Sequence, residues 1–463
     1  MLLSILIGGL LVVILTSAAV LALVPAMTRR AVRVVLTRPM SDTLAELYVS
    51  LKSTPAIDFI YSSLRSQTGE IVIRPMGSAR PVHGFDDLSL VPAQLCRAPI
   101  PADEPVDLSV TIGASLKRPL TSPLPLYLSG MAYGLALTKN ARLALARASG
   151  ATGVPLNSGQ GPFLQEERQL AHRYVLQFGR WTWNRDPEIL RQADMLEVQV
   201  GQGAMPGNAV VATPGEVSPA IHALMGLGPD EAPIIHARLF LRHPSEPASL
   251  AQVVEHLRAV ADGVPIAVKM GAGQDLERDL DVALEAGVDL VVIDGTEGAT
   301  GNAPITLSDH FGIPSLMALV RAVRHLEARG RRDSVQLAVS GGFREPGDIL
   351  KALCLGADLV GIATIAMFAL AHAQVTESVP LYPPTDLVFY RANPRIPLDV
   401  ERGARGLQNF LESTRKEMEL ALRTMGHRSL AELGPRDVCA LDPDVARYVG
   451  VPFSGDSPPA RGG

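Results

Sequence analysis

Two glycine corners near the end of the predicted strands are the residues whose spacing points most directly to chemistry. The stretch VSGGFREPGDILKALCLGAD ends a strand at Gly341 and Gly342 and opens a helix after Pro346. The next strand ends at Gly361 and Thr364. Small residues there let backbone N–H groups close on an anion, and the positive end of a helix favours the same charge. The loops after the last two strands are the usual phosphate site of a barrel, so the pattern predicts phosphate binding; the alternative is that these glycines only make tight turns.

Lys269, at the end of the strand VPIAVKM, is the second chemical signal. A lysine inside a strand is costly to bury unless its ammonium faces something negative. A flavin is a natural partner, because a cation near its pyrimidine edge stabilises the anionic reduced ring. The alternative is an ion pair with Glu197 or Asp294 across a barrel. The Gly-rich loop DGTEGATGNAP (294–304) could pass close to a planar cofactor, and beside Lys269 it favours the flavin interpretation.

The elements that must position these residues begin at about residue 126, where short apolar strands alternate with amphipathic helices. Segments such as SLAQVVEHLRAVADG and SLMALVRAVRHLEARG repeat apolar residues at i, i+3, i+4 and i+7. Eight strands alternating with helices predict an α/β fold, a (β/α)8 TIM barrel. A doubly wound open sheet is the alternative, but no GxGxxG opens a βαβ unit. The strands are predicted at 124–130, 153–158, 194–200, 232–238, 264–270, 289–295, 335–342 and 358–364.

The N-terminus is a long apolar run. The first 28 residues carry no charge, and Arg29, Arg30 and Arg33 follow at once. A helix of about 20 residues is enough to cross a hydrocarbon core, and the positive-inside rule places those arginines in the cytoplasm. A cleaved secretory signal is the alternative, although its basic residues usually precede the apolar core. The run therefore predicts a single-pass membrane protein whose catalytic domain is cytoplasmic.

The composition excludes some classes of function for this chain. The net charge of −5 provides no basic footprint for nucleic acid. The three cysteines are far apart and without CxxC spacing, which excludes a cysteine-ligated iron–sulfur cluster in this chain and fits a reducing compartment. No metal site is expected. The predicted organisation is a transmembrane anchor at 1–28, a juxtamembrane and N-terminal extension at 29–125, the barrel at 126–375, a C-terminal helical cap at 376–453 and a disordered tail at 454–463.

A family resemblance emerges from the motifs taken together. LSGMAYGLALTKNARLALARA, NSGQGPFLQEER, LEVQVGQGAMPG, AVKMGAG, DLVVIDGTEGATGNAP and VSGGFREPGD occur in order over roughly residues 80 to 440. The chain resembles the FMN-binding synthase domain of the glutamate synthase large subunit, in its archaeal-type, stand-alone branch. That resemblance implies a (β/α)8 barrel in which reduced FMN passes a hydride to 2-iminoglutarate, formed from 2-oxoglutarate and ammonia, to give L-glutamate.

The resemblance also implies roles for particular residues. Next to the flavin ring it would place Ser129, Gly130 and Met131, with Gln177 and Lys269 bonding the polar edge of the ring. The loop beside the ring would be shaped by Gly295, Gly298 and Gly301, and the phosphate would be held by Gly341, Gly342, Gly361 and Thr364. Lys269, Gln202 and Gln160 are the residues expected to carry catalysis.

The substrate side departs from the family pattern. The family motif K-x-x-Q-x-x-K is here Gln199, Gln202 and Met205, so the glutamine survives and both cations are gone. Gln160 stands where the family has a glutamate. A 2-oxoglutarate site without the lysines loses charge-assisted bonds of roughly 1.5–3 kcal/mol each. Arg180 or Arg238 could compensate.

Three functional hypotheses follow. The first is an FMN-dependent oxidoreductase of glutamate biosynthesis, anchored to the inner face of a membrane by its N-terminal helix. The second is a membrane-associated flavoenzyme that acts on a different, less anionic amino or keto compound. The third is a membrane-tethered barrel without catalysis. No amidotransferase domain is recognised, so this chain is not expected to hydrolyse glutamine. No cysteine cluster or dinucleotide fingerprint is recognised, so a separate electron donor, a redox protein or a quinone, is expected for either enzyme. The substrate, the donor and the oligomeric state stay open.

Overall fold

The computed structural model describes residues 2–43, 45–78, 80–203, 205–207, 210–237, 239, 249–298, 300–390 and 395–456, with side chains described from residue 20 onward except at 211 and 302. The chain divides into two compact units, Met1–Val72 and Ile73–Gly463. Most of the predicted tail at 454–463 and the candidate residue Arg238 lie outside the described residues.

The helices and strands are numbered in chain order. The helices are α1 Leu2–Thr37, α2 Ala45–Ser53, α3 Ala56–Thr68, α4 Lys139–Thr152, α5 Gln165–Leu170, α6 Pro187–Leu190, α7 Pro219–Met225, α8 Leu250–Val260, α9 Leu276–Ala286, α10 Ile305–His310, α11 Ser315–Ala328, α12 Pro346–Cys354, α13 Thr364–Ala371, α14 Val375–Ser378, α15 Val400–Met425 and α16 Pro443–Val449. The strands are β1 Ile73–Met76, β2 Leu88–Leu90, β3 Val110–Ile112, β4 Leu120–Ser122, β5 Leu126–Leu128, β6 Leu156–Asn157, β7 Tyr174–Gly179, β8 Met195–Gln199, β9 Val210–Val211, β10 Ile234–Ile235, β11 Ile266–Gly271, β12 Leu290–Asp294, β13 Thr300–Pro304, β14 Gln336–Ser340, β15 Leu359–Ile362 and β16 Val438–Ala440.

The first unit contains the helices α1, α2 and α3. Over the part of the chain that the structure describes, no helix combines the length and the apolar character that a bilayer crossing requires. The predicted single-pass membrane localisation is therefore wrong, and the anchor at 1–28 on which it depended finds no support.

The second unit contains the predicted barrel. Eight parallel strands close in the order β5, β6, β7, β8, β11, β12, β14 and β15, and β15 pairs with β5 to complete the ring. Seven of the predicted strands lie in this ring. The segment 232–238 does not, since Ile234–Ile235 pairs antiparallel with Val210–Val211 outside it. The place is taken by Tyr174–Gly179, whose six residues are all buried, so that no alternation between apolar and polar residues marked it as a strand.

The barrel interior is layered. An apolar layer contains Met195, Ala267 and Leu290. Because side chains alternate along a strand, the residues two positions further along β8 and β11 face the same interior, and these are Glu197 and Lys269. The interior thus changes from apolar to polar toward the carboxyl ends of the strands, which is the end where barrel active sites form.

The hairpin formed by β3 and β4 closes the amino-terminal end of the barrel. Its Ile112 and Leu120 are buried in the same apolar cluster as Met195, and the Gln336 side chain bonds backbone groups of Thr111 and Gly113. Toward the C-terminus, the long helix α15 packs against the outer helices α4, α12 and α13. The proposed C-terminal segment 376–453 therefore covers the side of the barrel.

Candidate functional site

A cavity of about 520 Å³ opens at the carboxyl ends of the barrel strands. Charged and polar residues from several strands and loops surround it, among them Asp294, Glu297 and Ser340. The structure brings nine of the residues chosen from the sequence to its walls: Ser129, Gly130, Gln202, Lys269, Gly298, Gly341, Gly342, Gly361 and Thr364. The glycine corners and the buried lysine therefore share one space.

The glycine corners are packed so closely that a side chain at either of them would clash with its neighbours. Gly341 has φ +108° and Gly342 has φ +83°, a region that L side chains rarely adopt. A Cβ atom at Gly341 would lie 2.7 Å from Ser315 Oγ, and one at Gly361 would lie 2.4 Å from Ser129 Oγ. Thr364, the first residue of α13, also lines the cavity. The glycine corners and the first residue of α13 thus line one space, a setting that suits an anionic phosphate.

Lys269 and Asp294 form the charged inner wall of the cavity. Lys269 is 3 % exposed, and its Nζ lies 3.7 Å from Asp294 Oδ2. Asp294 also accepts hydrogen bonds from the Gly203 N–H (2.9 Å) and the Ser340 hydroxyl (2.5 Å). Lys269 therefore forms an ion pair with Asp294 and also lines the cavity.

Gln177 lies behind the cavity wall. It is buried on β7, and its Nε2 donates to the fully buried Glu197 (2.8 Å). A Cβ atom at Gly130 would lie 2.8 Å from that Nε2, so glycine is needed for the wall to pass this close. Among the described residues, neither Gln177 Oε1 nor the hydroxyl of Ser129 has a hydrogen-bond partner.

A smaller pocket of about 60 Å³ adjoins the cavity and shares Gly130, Gln202 and Ala363 with it. Met131, Gln160 and Gly301, which the sequence analysis placed at the flavin or substrate, line this pocket. None of its described lining residues carries a charge. Gln160 Nε2 is buried without a partner among the described residues. The pocket therefore presents the Gln160 amide where the family pattern has an acid, beside the retained Gln202, and the two positions of the family's cations do not line it.

The other substrate-side residues are occupied elsewhere. Met205 is buried, and its sulfur accepts a contact from the Thr300 hydroxyl at 3.5 Å. Gln199 is buried inside the barrel. Arg180 donates to the carbonyls of Gly207 (2.8 Å) and His236 (2.9 Å), and burial lowers its pKa to about 10.

Gly295 does not line either pocket. A Cβ atom there would lie 2.1 Å from Ser315 Oγ, so this glycine permits close packing between the loop after β12 and the start of α11. The loop continues into β13, which pairs antiparallel with β1. The sequence analysis predicted a Gly-rich loop over 294–304 and did not recognise this short strand within it.

Several lining residues were missed by sequence reasoning. Residues 77, 78, 80–82 and 84–86 line part of the cavity rim, and Arg344 pairs with Asp86 there (2.6 Å). Glu297 lies against Gly342 and accepts from the Ser315 N–H (2.9 Å) and hydroxyl (2.8 Å); burial raises its pKa. Of these residues, Arg344 alone could have been selected from the sequence. It lies three residues after Gly341, and a cation is chemically expected beside a turn that binds phosphate.

Comparison with known proteins agrees with this geometry. Residues 100–428 match the conserved region in glutamate synthase. The chain is 32% identical to a glutamate synthase large subunit-like protein of Rhizobium meliloti (strain 1021), covering 88% of this chain and 96% of that protein. It is 29% identical to the archaeal glutamate synthase (NADPH) of Methanocaldococcus jannaschii, covering 85% and 83%. Among solved structures, a flavocytochrome b2 variant with sulfite bound is similar in fold, with a TM-score of 0.51 and 20% identity over 82% of this chain and 84% of that one.

Proposed function

Since this chain belongs to the glutamate synthase family, we propose that it is an FMN-dependent oxidoreductase acting on an amino or keto compound that is less anionic than 2-oxoglutarate. The chain is an oxidoreductase, and FMN is its cofactor. The observation that carries the substrate class is the small pocket of amides beside the lysine-bearing cavity.

The larger cavity fits FMN in size and in chemistry. Its volume of about 520 Å³ lies within the range of small-molecule sites, roughly 300–1,000 Å³. The two glycine corners would hold the phosphate, and Lys269 would hold a positive charge beside the polar edge of the ring. The buried Ser129 hydroxyl lines the cavity without a hydrogen-bond partner among the described residues, and a bound ring would satisfy it. When bound, FMN supplies the hydride transfer.

The small pocket would orient the substrate beside the ring. Gln160 and Gln202 present amide groups that can donate to or accept from a carbonyl, an amine or a single carboxylate. A second carboxylate held only by amides forgoes charge-assisted bonds of roughly 1.5–3 kcal/mol each. A keto or amino compound with one carboxylate or none therefore suits the described lining best.

Glutamate formation from 2-oxoglutarate and ammonia is the second candidate. Two observations favour it: the similarity to archaeal glutamate synthase extends over 85% of this chain, and the central glutamine of the substrate motif is present as Gln202, which lines both pockets.

The reducing electrons would come from a separate donor, a redox protein or a quinone. The three cysteines, Cys96, Cys354 and Cys439, are dispersed between surface and core, so they do not form a cluster-binding set. No dinucleotide fingerprint precedes any of the barrel helices.

One experiment separates the two candidates. The purified protein, loaded with FMN and reduced chemically, is given ammonium and either 2-oxoglutarate or a panel of monocarboxylic 2-oxo acids, and amino acid products are quantified by chromatography. We expect a monocarboxylic substrate to give the higher kcat/KM. Preferential formation of glutamate above a control without FMN would overturn the proposed substrate class and support the second candidate. A protein that does not retain FMN would overturn both.

A further inference from the structure

Arg142 is a fully buried arginine on the helix α4. It lines neither the larger cavity nor the small pocket. A charge is tolerated in the interior when an opposite charge and hydrogen bonds replace the lost water. Burial acts against the charge of Arg142, but the carboxylate of Glu167 outweighs that effect and raises the pKa of Arg142, so the guanidinium stays ionised. What Arg142 does therefore depends on the groups that accept its hydrogen bonds.

The acceptors of Arg142 come from three separate segments of the chain. Its Nη1 donates to the carbonyl of Met131, in the loop after β5, at 2.8 Å. Its Nη2 donates to the carbonyl of Asn157, the last residue of β6, at 2.9 Å. Its Nε donates to Glu167 Oε2 on α5 at 2.7 Å, and Nη2 also donates to the other oxygen of that carboxylate. One planar guanidinium therefore holds the β5 loop, the end of β6 and α5 in a fixed relation.

The segment between two of these acceptors carries Gln160. It begins at Asn157 and reaches Glu167, so Arg142 bonds the segment at both ends. Between those ends, the carbonyl of Gln160 accepts from Trp183 Nε1 at 2.8 Å. The main chain is thus held on each side of the residue whose side chain lines the small pocket.

The same segment packs on the β5 loop backbone to backbone. A Cβ atom at Gly159 would lie 2.6 Å from the amide nitrogen of Met131, and one at Gly161 would lie 2.5 Å from the amide nitrogen of Tyr133. Met131 itself lines the small pocket. Because Arg142 joins these two loops through their carbonyl groups, the relative position of two parts of the pocket wall depends on it.

We infer that Arg142 is a positioning residue that places the Gln160 amide in the small pocket and so determines how tightly that pocket holds its substrate. This inference rests on the proposed function, in which the small pocket is the substrate site. Gln160 Nε2 is buried without a partner among the described residues, so an acceptor on a bound molecule would complete its bonding. A lysine at 142 would not replace the guanidinium, because an ammonium cannot bond this planar set of acceptors.

Arg142→Lys tests the inference, because it keeps a positive charge for Glu167 but releases the segment that carries Gln160. We expect amide hydrogen exchange over residues 158–161, measured by mass spectrometry, to become about tenfold faster or more. We also expect KM to rise about tenfold, the size of one hydrogen bond, with little change in kcat. KM is measured with ammonium and the better substrate of two probes, pyruvate and 2-oxoglutarate. FMN affinity should stay within about twofold, because neither Gln160 nor Met131 lines the larger cavity.

The matched control is Arg332→Lys. Arg332 also bonds a carboxylate and two carbonyl groups: its Nη2 donates to Asp358 Oδ2 and to the carbonyl of Gly356, both at 2.8 Å, and its Nη1 donates to the carbonyl of Val335 at 3.3 Å. These acceptors precede β14 and β15, at the amino ends of the strands, and Arg332 lines neither pocket. We expect the control to lose stability while KM and the exchange over 158–161 stay native. An equal rise in KM in both variants would show that lost stability is responsible, and would overturn the inference.

A double-mutant cycle distinguishes positioning of Gln160 from a general structural role. Gln160→Ala alone should raise KM about tenfold, but in the Arg142→Lys background it should have little further effect, because both changes remove the same contact with substrate. Additive increases in KM, or an unchanged KM in Arg142→Lys, contradict the inference. If Arg142→Lys does not fold, Glu167→Gln takes its place: it weakens one end of the segment and should raise KM about threefold, and a native KM in that variant contradicts the inference instead.

The proposed function can fail separately. Preference of the native protein for 2-oxoglutarate over pyruvate counts against the proposed substrate class and leaves the role of Arg142 to be decided by the same variants. If the native protein turns over neither probe, the proposed reaction fails, and hydrogen exchange decides the positioning role alone. Native exchange over residues 158–161 in Arg142→Lys then refutes it.

Discussion

The two adjoining pockets are built differently. The larger cavity takes its chemistry from the ends of barrel strands, with Lys269, Asp294 and Ser340 on neighbouring strands that are hydrogen-bonded in register. The smaller pocket takes its amide groups from loops, with Gln160 and Gln202 among its lining residues. Strand-end residues are constrained by the barrel, whereas loop residues can change without disturbing it. The cofactor chemistry of the family is thus compatible with a substrate site that departs from the family pattern.

The largest expected effect is at the phosphate corner. In Gly341→Val, the side chain meets Ser315 Oγ at a position where its Cβ alone would lie 2.7 Å away, and φ +108° is unfavourable for valine. We expect FMN affinity to fall by more than about 100-fold, the loss expected from misplaced charge-assisted phosphate contacts. Titration with FMN measures it.

The matched control is Gly330→Ala. Gly330 also has positive φ, +63°, but a Cβ there meets nothing within 4 Å. Its cost is about 1 kcal/mol of stability, with FMN binding unchanged. Equal losses of FMN binding in both variants would show that backbone strain, and not the phosphate corner, is responsible.

The second effect concerns the substrate pocket. Gln160→Lys places a cation in the small pocket and so supplies a partner for a second carboxylate. We expect KM for 2-oxoglutarate to fall about tenfold or more, since a charge-assisted bond contributes roughly 1.5–3 kcal/mol. Steady-state kinetics with a fixed reductant measure this change.

FMN affinity serves as the control for that variant, because Gln160 does not line the larger cavity. An unchanged KM for 2-oxoglutarate in a folded, flavin-loaded variant would mean that the charge at this position does not determine the difference between the pockets.

A third effect is electrochemical. Lys269→Met removes the cation 3.7 Å from Asp294 and leaves that carboxylate at the cavity wall. The anionic reduced flavin is then less stable, so the reduction potential becomes more negative by about 30–60 mV, where 30 mV corresponds to about 1.4 kcal/mol for a two-electron couple. Spectroelectrochemistry measures it, and Lys269→Arg, which keeps the charge, should stay near the native potential. A native potential in Lys269→Met would remove the cation from the proposed mechanism.

The smallest effect is a pH dependence at Glu297. Burial raises its pKa, so the folded state binds the proton more tightly than the unfolded state. Its contribution to stability therefore falls as pH rises from the ordinary glutamate pKa through the raised one. Glu297→Gln can still accept from Ser315. It should flatten the pH profile of Tm in that window and raise Tm at pH 7 by about 1–2 °C. A profile as steep as the native one would contradict this.

The barrel was predictable because most of its strands are short apolar runs followed by amphipathic helices. The strand Tyr174–Gly179 was missed because it is buried on both faces and so shows no alternation of apolar and polar residues. The segment 232–238 has the composition of a strand, but Ile234–Ile235 finds its partner outside the ring. Local pattern identifies a strand without specifying the sheet that it joins.

The position of the site was predictable where a residue type suggests one chemistry. A strand-end lysine and paired glycine corners were selected in this way, and the structure places them around one cavity. The buried partners of Glu197 and the rim residues 77, 78, 80–82 and 84–86 depend on contacts between segments far apart in the chain, which no local pattern encodes. The apolar N-terminal run shows the opposite error: composition alone suggested a membrane helix that the described structure does not contain.

The hairpin of β3 and β4 leaves the barrel open at one end only, because Ile112 and Leu120 fill its amino-terminal end. A small molecule that reaches the interior must therefore enter at the carboxyl ends of the strands. If both half-reactions use that entrance, ping-pong kinetics are expected.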